Sequence, residues 1–466
     1  MTQERLPATD EGDGVTNRWR DLLSEESARQ AISQFVVRYR PGIATGLSEL
    51  DTTDFSAVFK IKFRDGGSAV IRFENPGVSS FPEEKIKHEA ATLRFIQDNT
   101  PIPVPYVHHW GTRENSPLGI GPFIIMEYMD HKMTAAEALN ASNIDHAILE
   151  TVYRELAKIM LQLSKLEFAC IGALEETQPW SWQVRQRPLP PLMNELVRSS
   201  TLQETILPAK TFSRSSEYLE SLAAMHIEHF VAQPDNTAHI GTDYQRQYVA
   251  RHLFLKLARE KRLLPSEHDN GPFRLLCDKM RPSSVLLNAN YHVVGVVGWG
   301  LSYAAPRQFA FSPPRWLLLE QPRDWKKVFD DWRRAYDERL GAFLDAMVMV
   351  EDEAVTSGNL KPEQRLSGEM REGWENGDFW VAYAACNSFA FDAVYWSQID
   401  QRFFGRHDDG GDPECTWKRR LALLDEQTQA AMDTFVTRKM DQARQEGGYR
   451  VRTSAPVACP TEDSET

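Results

Sequence analysis

Between Phe55 and Phe73 the chain reads FSAVFKIKFRDGGSAVIRF, and few segments leave a fold so little choice. Apolar and polar residues alternate on both sides of Asp65-Gly66-Gly67. A period of two puts alternate side chains on opposite faces of a strand, and Gly supplies the positive φ of a tight turn, so the segment predicts a two-stranded β-hairpin. The next stretch, SSFPEEKIKHEAATLRFIQDN, predicts an amphipathic helix. Pro82 suits a first turn, Glu83 and Glu84 complement the helix dipole, and Ile86, Ala90, Leu93 and Ile96 share one face. PIPVPYVHHWG is too rich in Pro for a helix, and GPFIIMEYMD is a short apolar run that fits a buried strand leading into a connector.

Beyond the connector, helical periodicity takes over. It is interrupted by SVLLNANYHVVGVVGW, a second hairpin turning at Asn288-Ala289-Asn290. In WKKVFDDWRRAYDERLGAFLDAM, a single helical stripe collects Trp325, Phe329, Trp332, Tyr336, Leu340, Phe343 and Met347. DYQRQYVARHLFLKLA predicts a helix with Val249, Leu253 and Leu257 inward. The order hairpin, helix, strand, connector, helices, hairpin, helices implies an α+β chain with a small β-rich lobe, a large mainly helical lobe and a cleft where the connector crosses, a common place for ligands. The expected divisions are an N-terminal extension at 1–45, a small lobe and hinge at 46–131, a helical lobe at 132–445 and a tail at 446–466, with 1–15 also a polar tail.

Charge narrows the function classes. Asp and Glu number 66 against 53 Lys and Arg, a net charge of −13, which argues against a domain that binds nucleic acid or anionic lipid through its phosphates. Five scattered cysteines suggest neither a disulfide framework nor a zinc site, and neither the acidic, polar start nor any later apolar run suggests a membrane segment. A cytoplasmic protein with no membrane and no nucleic-acid partner is the expectation.

Taken together, VIRFENPG, EKIKHEAATLRFI, PIPVPYVHHWG, GPFIIMEYMD, RPSSVLLN, GVVGW, SYAAPRQFAFSPPRWLLLEQP and the long GEMREGWENGDFWVAYAACNSFAFDAVYWSQIDQRFFG resemble fungal-type members of the aminoglycoside phosphotransferase and choline kinase family over roughly residues 46 to 440. The resemblance implies the two-lobed protein-kinase-like fold. It also implies that Arg72 takes the phosphate-pairing strand position, Glu89 its helical partner, and Glu127 a place in a nucleotide-type cleft. Solvated charges on amphipathic elements remain the alternative for Arg72 and Glu89.

Phosphoryl transfer needs a cation on the phosphates, a carboxylate to take the acceptor's proton, and oxygen ligands for Mg²⁺. Registered on Pro282 and the strand Val285-Leu286-Leu287, the resemblance puts Lys279 at the proton-accepting Asp, Ser284 at the metal-binding Asn, and Gly298 at the metal-binding Asp of the next strand. Gly has no side-chain oxygen and charged Lys accepts no proton. A one-residue slip would make Asp278 the acid or base, out of phase with Pro282. The loop GLSELDTTDFSAVFK has no Gly after Gly46 to approach phosphates, and Asp51 and Asp54 read as polar loop residues. Lys279 is expected either to bind an anionic ligand or, more commonly for a lone Lys, to pair with Asp278 or another nearby acid. Cys277 reads as a buried, inert thiol, and the aromatic residues from Trp374 to Phe404 mostly as core.

Three readings follow. The first is a degenerate phosphotransferase, or pseudokinase, with no confident cofactor: ATP binding is left open, Mg²⁺ is not expected, and a small molecule would occupy the cleft. The second is a repurposed enzyme doing metal-free isomerisation, cyclisation or dehydration, with Asp278, Lys279 and Glu89 as acid or base groups. The third is an ATP-dependent small-molecule kinase with substitute ligands.

Overall fold

The computed structural model describes residues 10–48, 50–53, 55–141, 144–199, 202–233, 241–318, 329–405 and 413–447. Along the chain run α1 (Asp10–Ser24), α2 (Glu26–Tyr39), β1 (Ala44–Leu47), β2 (Asp51–Thr52), β3 (Ser56–Phe63), β4 (Ser68–Glu74), α3 (Pro82–Asn99), β5 (Val107–Gly111), β6 (Phe123–Glu127) and β7 (Met133–Thr134). Then come α4 (Ala135–Leu139), α5 (His146–Ser164), β8 (Glu167–Phe168), β9 (Ala173–Gln178), β10 (Ser181–Gln186), α6 (Pro191–Ser199), α7 (Ser215–Ala232) and α8 (Gly241–Arg259). β11 (Phe273–Cys277), β12 (Val285–Leu287), β13 (Val293–Val296), β14 (Ser302–Ala305), α9 (Arg307–Ala310), α10 (Phe329–Thr356) and α11 (Ser367–Glu375) follow. The chain closes with α12 (Asp378–Cys386), α13 (Phe391–Val394), a π-helical turn at Tyr395–Ile399, α14 (Asp400–Phe404), α15 (Pro413–Leu421) and α16 (Glu426–Gly447). It divides into two compact units, one of residues 1–199, 208–215 and 267–379, the other of 200–207, 216–266 and 380–466.

In the first unit, β1, β3, β4, β6 and β5 form an antiparallel sheet in that order, with β2 added to β3. Alternation decides its two faces. Phe59, Ile61, Ile71, Phe73, Phe123 and Ile125 point to a core shared with Trp19 and Leu23 of α1 and Ile32, Phe35 and Val36 of α2. Burying each of the large apolar side chains contributes about 1.5–3 kcal/mol. Residues 10–15, expected as tail, are the first turns of α1, whose Trp19 also donates its indole N–H to the Ile120 carbonyl at 3.1 Å. At the other end, Glu446 and Gly447 complete α16, and the rest of the expected C-terminal tail lies outside the described residues, as do residues 1–9.

The opposite sheet face carries Arg72 and Glu74 toward α3. That helix begins as the sequence predicts, with Pro82 in the first turn, and buries Ile86, Glu89, Ala90, Leu93 and Ile96. The rest of the unit is mainly helical, with two three-stranded sheets, β14-β11-β8 and β13-β12-β7. The expected second hairpin is the β12–β13 pair, in which Val285 faces Val296. On α10, Trp332, Tyr336, Leu340, Phe343 and Met347 are buried as predicted, while Trp325 lies outside the described residues.

The second unit is mainly helical, with no strand among its described residues. Val249, Leu253 and Leu257 of α8 are fully buried, as the periodicity predicts. The Arg251 guanidinium sits 2.8 Å from Asp392, and Arg420 forks onto Asp400 at 3.0 to 3.2 Å. Phe391 and Tyr395 stack at 5.8 Å between ring centres, whereas Phe389 is exposed, an exception to the expected aromatic core. Among the described residues no helix is long and apolar enough to cross a membrane.

Candidate functional site

Strand alternation puts Arg72 and Glu74 on the same side of β4, and helical spacing puts Lys85 one turn before Glu89 on α3. The four side chains meet. Arg72 donates to both oxygens of Glu89, Nη1 to Oε1 at 2.9 Å and Nη2 to Oε2 at 2.6 Å, and Nη2 also reaches Glu74 Oε1 at 3.3 Å. Lys85 Nζ donates to the other Glu74 oxygen at 2.5 Å. Burial alone would raise the Glu74 carboxyl, but Lys85 and Arg72 outweigh it and hold the pKa below the ordinary value. Burial likewise works against the Arg72 charge, and Glu89 and Glu74 more than restore it. Gly300 passes so close that a Cβ there would stand 2.9 Å from Lys85 Cε and 3.0 Å from Glu89 Oε2, so the backbone covers this pair only because no side chain intervenes.

The 278–284 loop lies near enough to the same network for Lys279 to act electrostatically on Glu74 and Lys85 on Lys279. The loop leaves β11 at Cys277, turns as Met280 N–H donates to the Cys277 carbonyl at 3.0 Å, and enters β12 through a short 3₁₀ turn at Pro282–Ser284. The β12–β13 pairing brings Ser284 and Gly298 together: Val297 N–H donates to the Ser284 carbonyl at 2.9 Å, and a Cβ on Gly298 would lie 3.1 Å from Ser284 Oγ. Gly298 has φ +78°, a left-handed conformation that costs most other residues strain. A hydroxyl and a glycine are a poor donor set for Mg²⁺, which wants carboxylate and phosphate oxygens in near-octahedral array. Among the described residues no group of three or more His, Cys, Asp or Glu stands ready to hold a metal ion.

Lys279 is half-buried, with Nζ 5.4 Å from the centre of the Phe55 ring. Its side chain makes no ion pair or hydrogen bond among the described residues, and neither does that of the exposed Arg281. Burial, with Lys85 and Arg281 nearby, brings the Lys279 ammonium down to about 8 despite the pull of Glu195 and Glu74. Glu195 of α6 is raised, chiefly by burial and further by Asp278, although Lys279 acts against the rise.

Asp278 does not pair with Lys279; the nearby acids that pull on that lysine are Glu195 and Glu74. Asp278 accepts from Arg315 Nη1 at 3.1 Å and lines a separate cavity of about 90 Å³ with Met160, Leu163, Phe309 and Trp316. Arg315, one residue beyond a Pro-Pro pair, claims the acid first. The Cys277 thiol is buried and pushed up to about 12 by that burial, so it carries no reactive thiolate at neutral pH. Glu127 does not join the Arg72 network: His108 Nε2 lies 2.8 Å from its Oε2, and Arg40 Nη2 3.9 Å from Oε1. Asp51 lies exposed in β2 opposite Val58, and Asp54 lies outside the described residues.

Sequence reasoning missed Glu74, Lys85, Glu195, Arg281 and Arg315. The first two had a signal, because position 74 shares the strand face of Arg72 and position 85 precedes Glu89 by one helical turn. Glu195 and Arg315 had none, since only tertiary packing brings them to the loop.

A family model described as "Phosphotransferase enzyme family" matches residues 51–347. Comparison with curated proteins gives no match. Similar solved structures include a thermostable mutant of the aminoglycoside phosphotransferase APH(4)-Ia in ternary complex with AMP-PNP and hygromycin B, 12% identical, covering 78% of this chain and 98% of that one, with a TM-score of 0.40. Another is the macrolide 2′-phosphotransferase MphH from Brachybacterium faecium, 13% identical over 79% of this chain and 98% of that one, TM-score 0.36. The amicoumacin kinase hAmiN is 10% identical over 90% and 96%, TM-score 0.40. With a match that takes in all of the sheet but β1, together with α3, the 278–284 loop and most of α10, the chain belongs to the phosphotransferase enzyme family and has its kinase-like fold.

Proposed function

We propose that this phosphotransferase-family protein binds a small molecule in its cleft while Mg-dependent phosphoryl transfer from ATP is lost or severely reduced. One observation supports the reading: Lys279, which the family resemblance assigns to the position of the proton acceptor, has a side chain with no ion pair among the described residues and lies against the Phe55 ring. Ser284 and Gly298 support it, because they supply no carboxylate at the metal positions that the family resemblance assigns to them. The one acid in the loop, Asp278, is engaged by Arg315.

The test is turnover. Purified protein incubated with ATP and Mg²⁺ over a panel of hydroxylated and aminated metabolites is expected to give no phosphorylated product above the uncatalysed background. Rates in the ordinary kinase range, about 1–100 s⁻¹, would refute the proposal.

A second reading, metal-free acid–base chemistry on a small molecule, is favoured by one observation: the Lys279 amine, brought down to about 8, is electrostatically linked to the raised Glu195 carboxyl. Groups tuned toward neutrality suit proton transfer. Unchanged metabolite profiles after deletion of the gene would count against this reading. Thermal shifts with ATP separate both readings from a kinase, for which Mg²⁺ should enhance the nucleotide's stabilisation.

A further inference from the structure

We propose that the cavity of about 90 Å³ between α5, β11 and the 309–316 segment binds the hydroxyl-bearing end of a short, branched apolar alcohol, with the Oδ2 oxygen of Asp278 accepting its hydrogen bond. Neither the Arg72 network nor Lys279, Ser284 or Gly298 lines this cavity, so it is a second site, independent of what becomes of phosphoryl transfer.

The walls are mostly apolar and held in place. Met160 and Leu163 come from α5, Phe309 from α9, and Pro314 and Trp316 from the segment that follows. Tyr336 of α10 donates to the Pro314 carbonyl at 2.9 Å, and Phe343 of the same helix meets the Trp316 ring edge-on at 6.0 Å between centres. The cavity is therefore braced from outside and needs no ligand to form it.

Few polar groups interrupt that wall. The Ser164 hydroxyl donates to the Leu161 carbonyl at 2.9 Å and the Cys277 thiol to the Gly298 carbonyl at 3.8 Å, so both are engaged. Asp278 is different. Its side chain is only 8% exposed, Arg315 Nη1 reaches Oδ1 at 3.1 Å, and among the described residues no hydrogen bond reaches Oδ2. A carboxylate oxygen so far from water is costly to leave without a donor, and the occupant of the cavity is where a donor can come from.

Charge decides what that donor is. Asp278 and Arg315 cancel, so an ammonium would add an unbalanced buried cation, and a carboxylate would add a second acid beside Asp278. A neutral hydroxyl satisfies Oδ2 and leaves the balance at zero. Volume sets the size: about 90 Å³ is the share of about three water molecules, and less than the about 150 Å³ of an apolar cavity that takes benzene. Waters filling it would each want several polar partners, which this wall does not supply. A short branched carbon chain replaces them with apolar contact.

The experiment is a ligand-observed NMR titration of the full chain with isobutanol, its methyl ether, isobutylamine and isobutyrate, which share one carbon skeleton. Saturable binding of isobutanol is expected, about tenfold tighter than the ether because only the alcohol donates, with the amine and the carboxylate weaker than the alcohol. Ala310→Phe fills the cavity without removing either member of the ion pair and should abolish binding. Asp278→Asn keeps an oxygen for Arg315 and offers the cavity an amide N–H in place of Oδ2, so the preference for alcohol over ether should vanish. Melting temperatures of the unliganded variants check that each folds, and the alcohol–ether comparison in the parent protein decides where one does not.

No saturable alcohol binding, equal affinity for alcohol and ether in the parent protein, tighter binding of the amine or the carboxylate, or binding unchanged in a folded Ala310→Phe overturns the proposal. None of these outcomes alters the phosphoryl-transfer reading, which turnover tests alone.

Discussion

The β4–α3 junction and the 278–284 loop belong to the same compact unit and solve their electrostatics in opposite ways. On the β4–α3 face, two cations and two acids, Arg72, Lys85, Glu74 and Glu89, satisfy one another at 2.5 to 3.3 Å. On the loop face, Lys279 and Arg281 have no such partners, and Ser284 and Gly298 bring no charge. The first arrangement is fixed by the protein itself, because each group is the reason the next can be buried. The second has only the Phe55 ring and the longer-range pull of Glu195 and Glu74 on Lys279. A charge network can therefore persist as a clamp between sheet and helix whatever becomes of the reaction, while the loop's charges lack such a clamp.

The largest expected effect tests the clamp. Glu89→Ala would leave the Arg72 guanidinium buried beside Glu74 alone, and breaking a buried pair by removing one partner costs about 3–5 kcal/mol. Urea unfolding should show that loss as a lower midpoint at similar slope. A cost under about 1 kcal/mol would mean that the β4–α3 face is as loosely fixed as the loop, and the contrast would be gone.

The loop face should respond with the opposite sign. Lys279→Met removes a repelled charge and keeps much of the stem, so at pH 7 it is expected to be neutral or stabilising by up to about 1 kcal/mol, less than full burial would give because solvent screens a half-buried group. The pH dependence sharpens this. The folded value near 8 lies below the ordinary value of a lysine, so between the two the unfolded chain binds the extra proton. Stability then rises with pH across that window, by at most about 1 kcal/mol per pH unit from this group after screening. The advantage of Lys279→Met over the parent protein should therefore shrink from pH 8 toward pH 10. A constant difference would show that the lysine is not repelled where it stands.

Much of the clamp was legible in the sequence, because the alternation that predicts β4 and the 3.6-residue period that predicts α3 also aim Arg72 and Glu89 at the interior. The loop was legible through spacing from Pro282 to the Val285-Leu286-Leu287 strand. What escaped was either masked by composition or made only by packing. The polar start hid α1, although Ile32, Phe35 and Val36 carried helical spacing for α2. The β9–β10 hairpin escaped because it buries little beyond Ala173 and Leu174, so no clean alternation marks it. Asp278 was readable as an acid, but its partner Arg315 could be found only in three dimensions.

The smallest expected effect uses that unforeseen hairpin as a control on the clamp. Arg94 of α3 reaches Glu176 of β9 at 2.8 Å, with side chains 33% and 29% exposed, so this pair holds the same helix as Glu89 does but in contact with water. Solvent screens its attraction and the long side chains lose freedom in forming it, so Arg94→Ala should cost only about 0.2–1 kcal/mol. Raising the salt to 1 M shortens the screening length to about 3 Å and should erase most of that difference. The Glu89→Ala penalty should survive the same salt, because a buried unpaired guanidinium is costly through desolvation, which mobile ions barely reach. If both penalties fell together, the Arg72–Glu89 pair would be behaving as a surface pair, and burial would no longer explain why the β4–α3 junction is clamped and the loop is not.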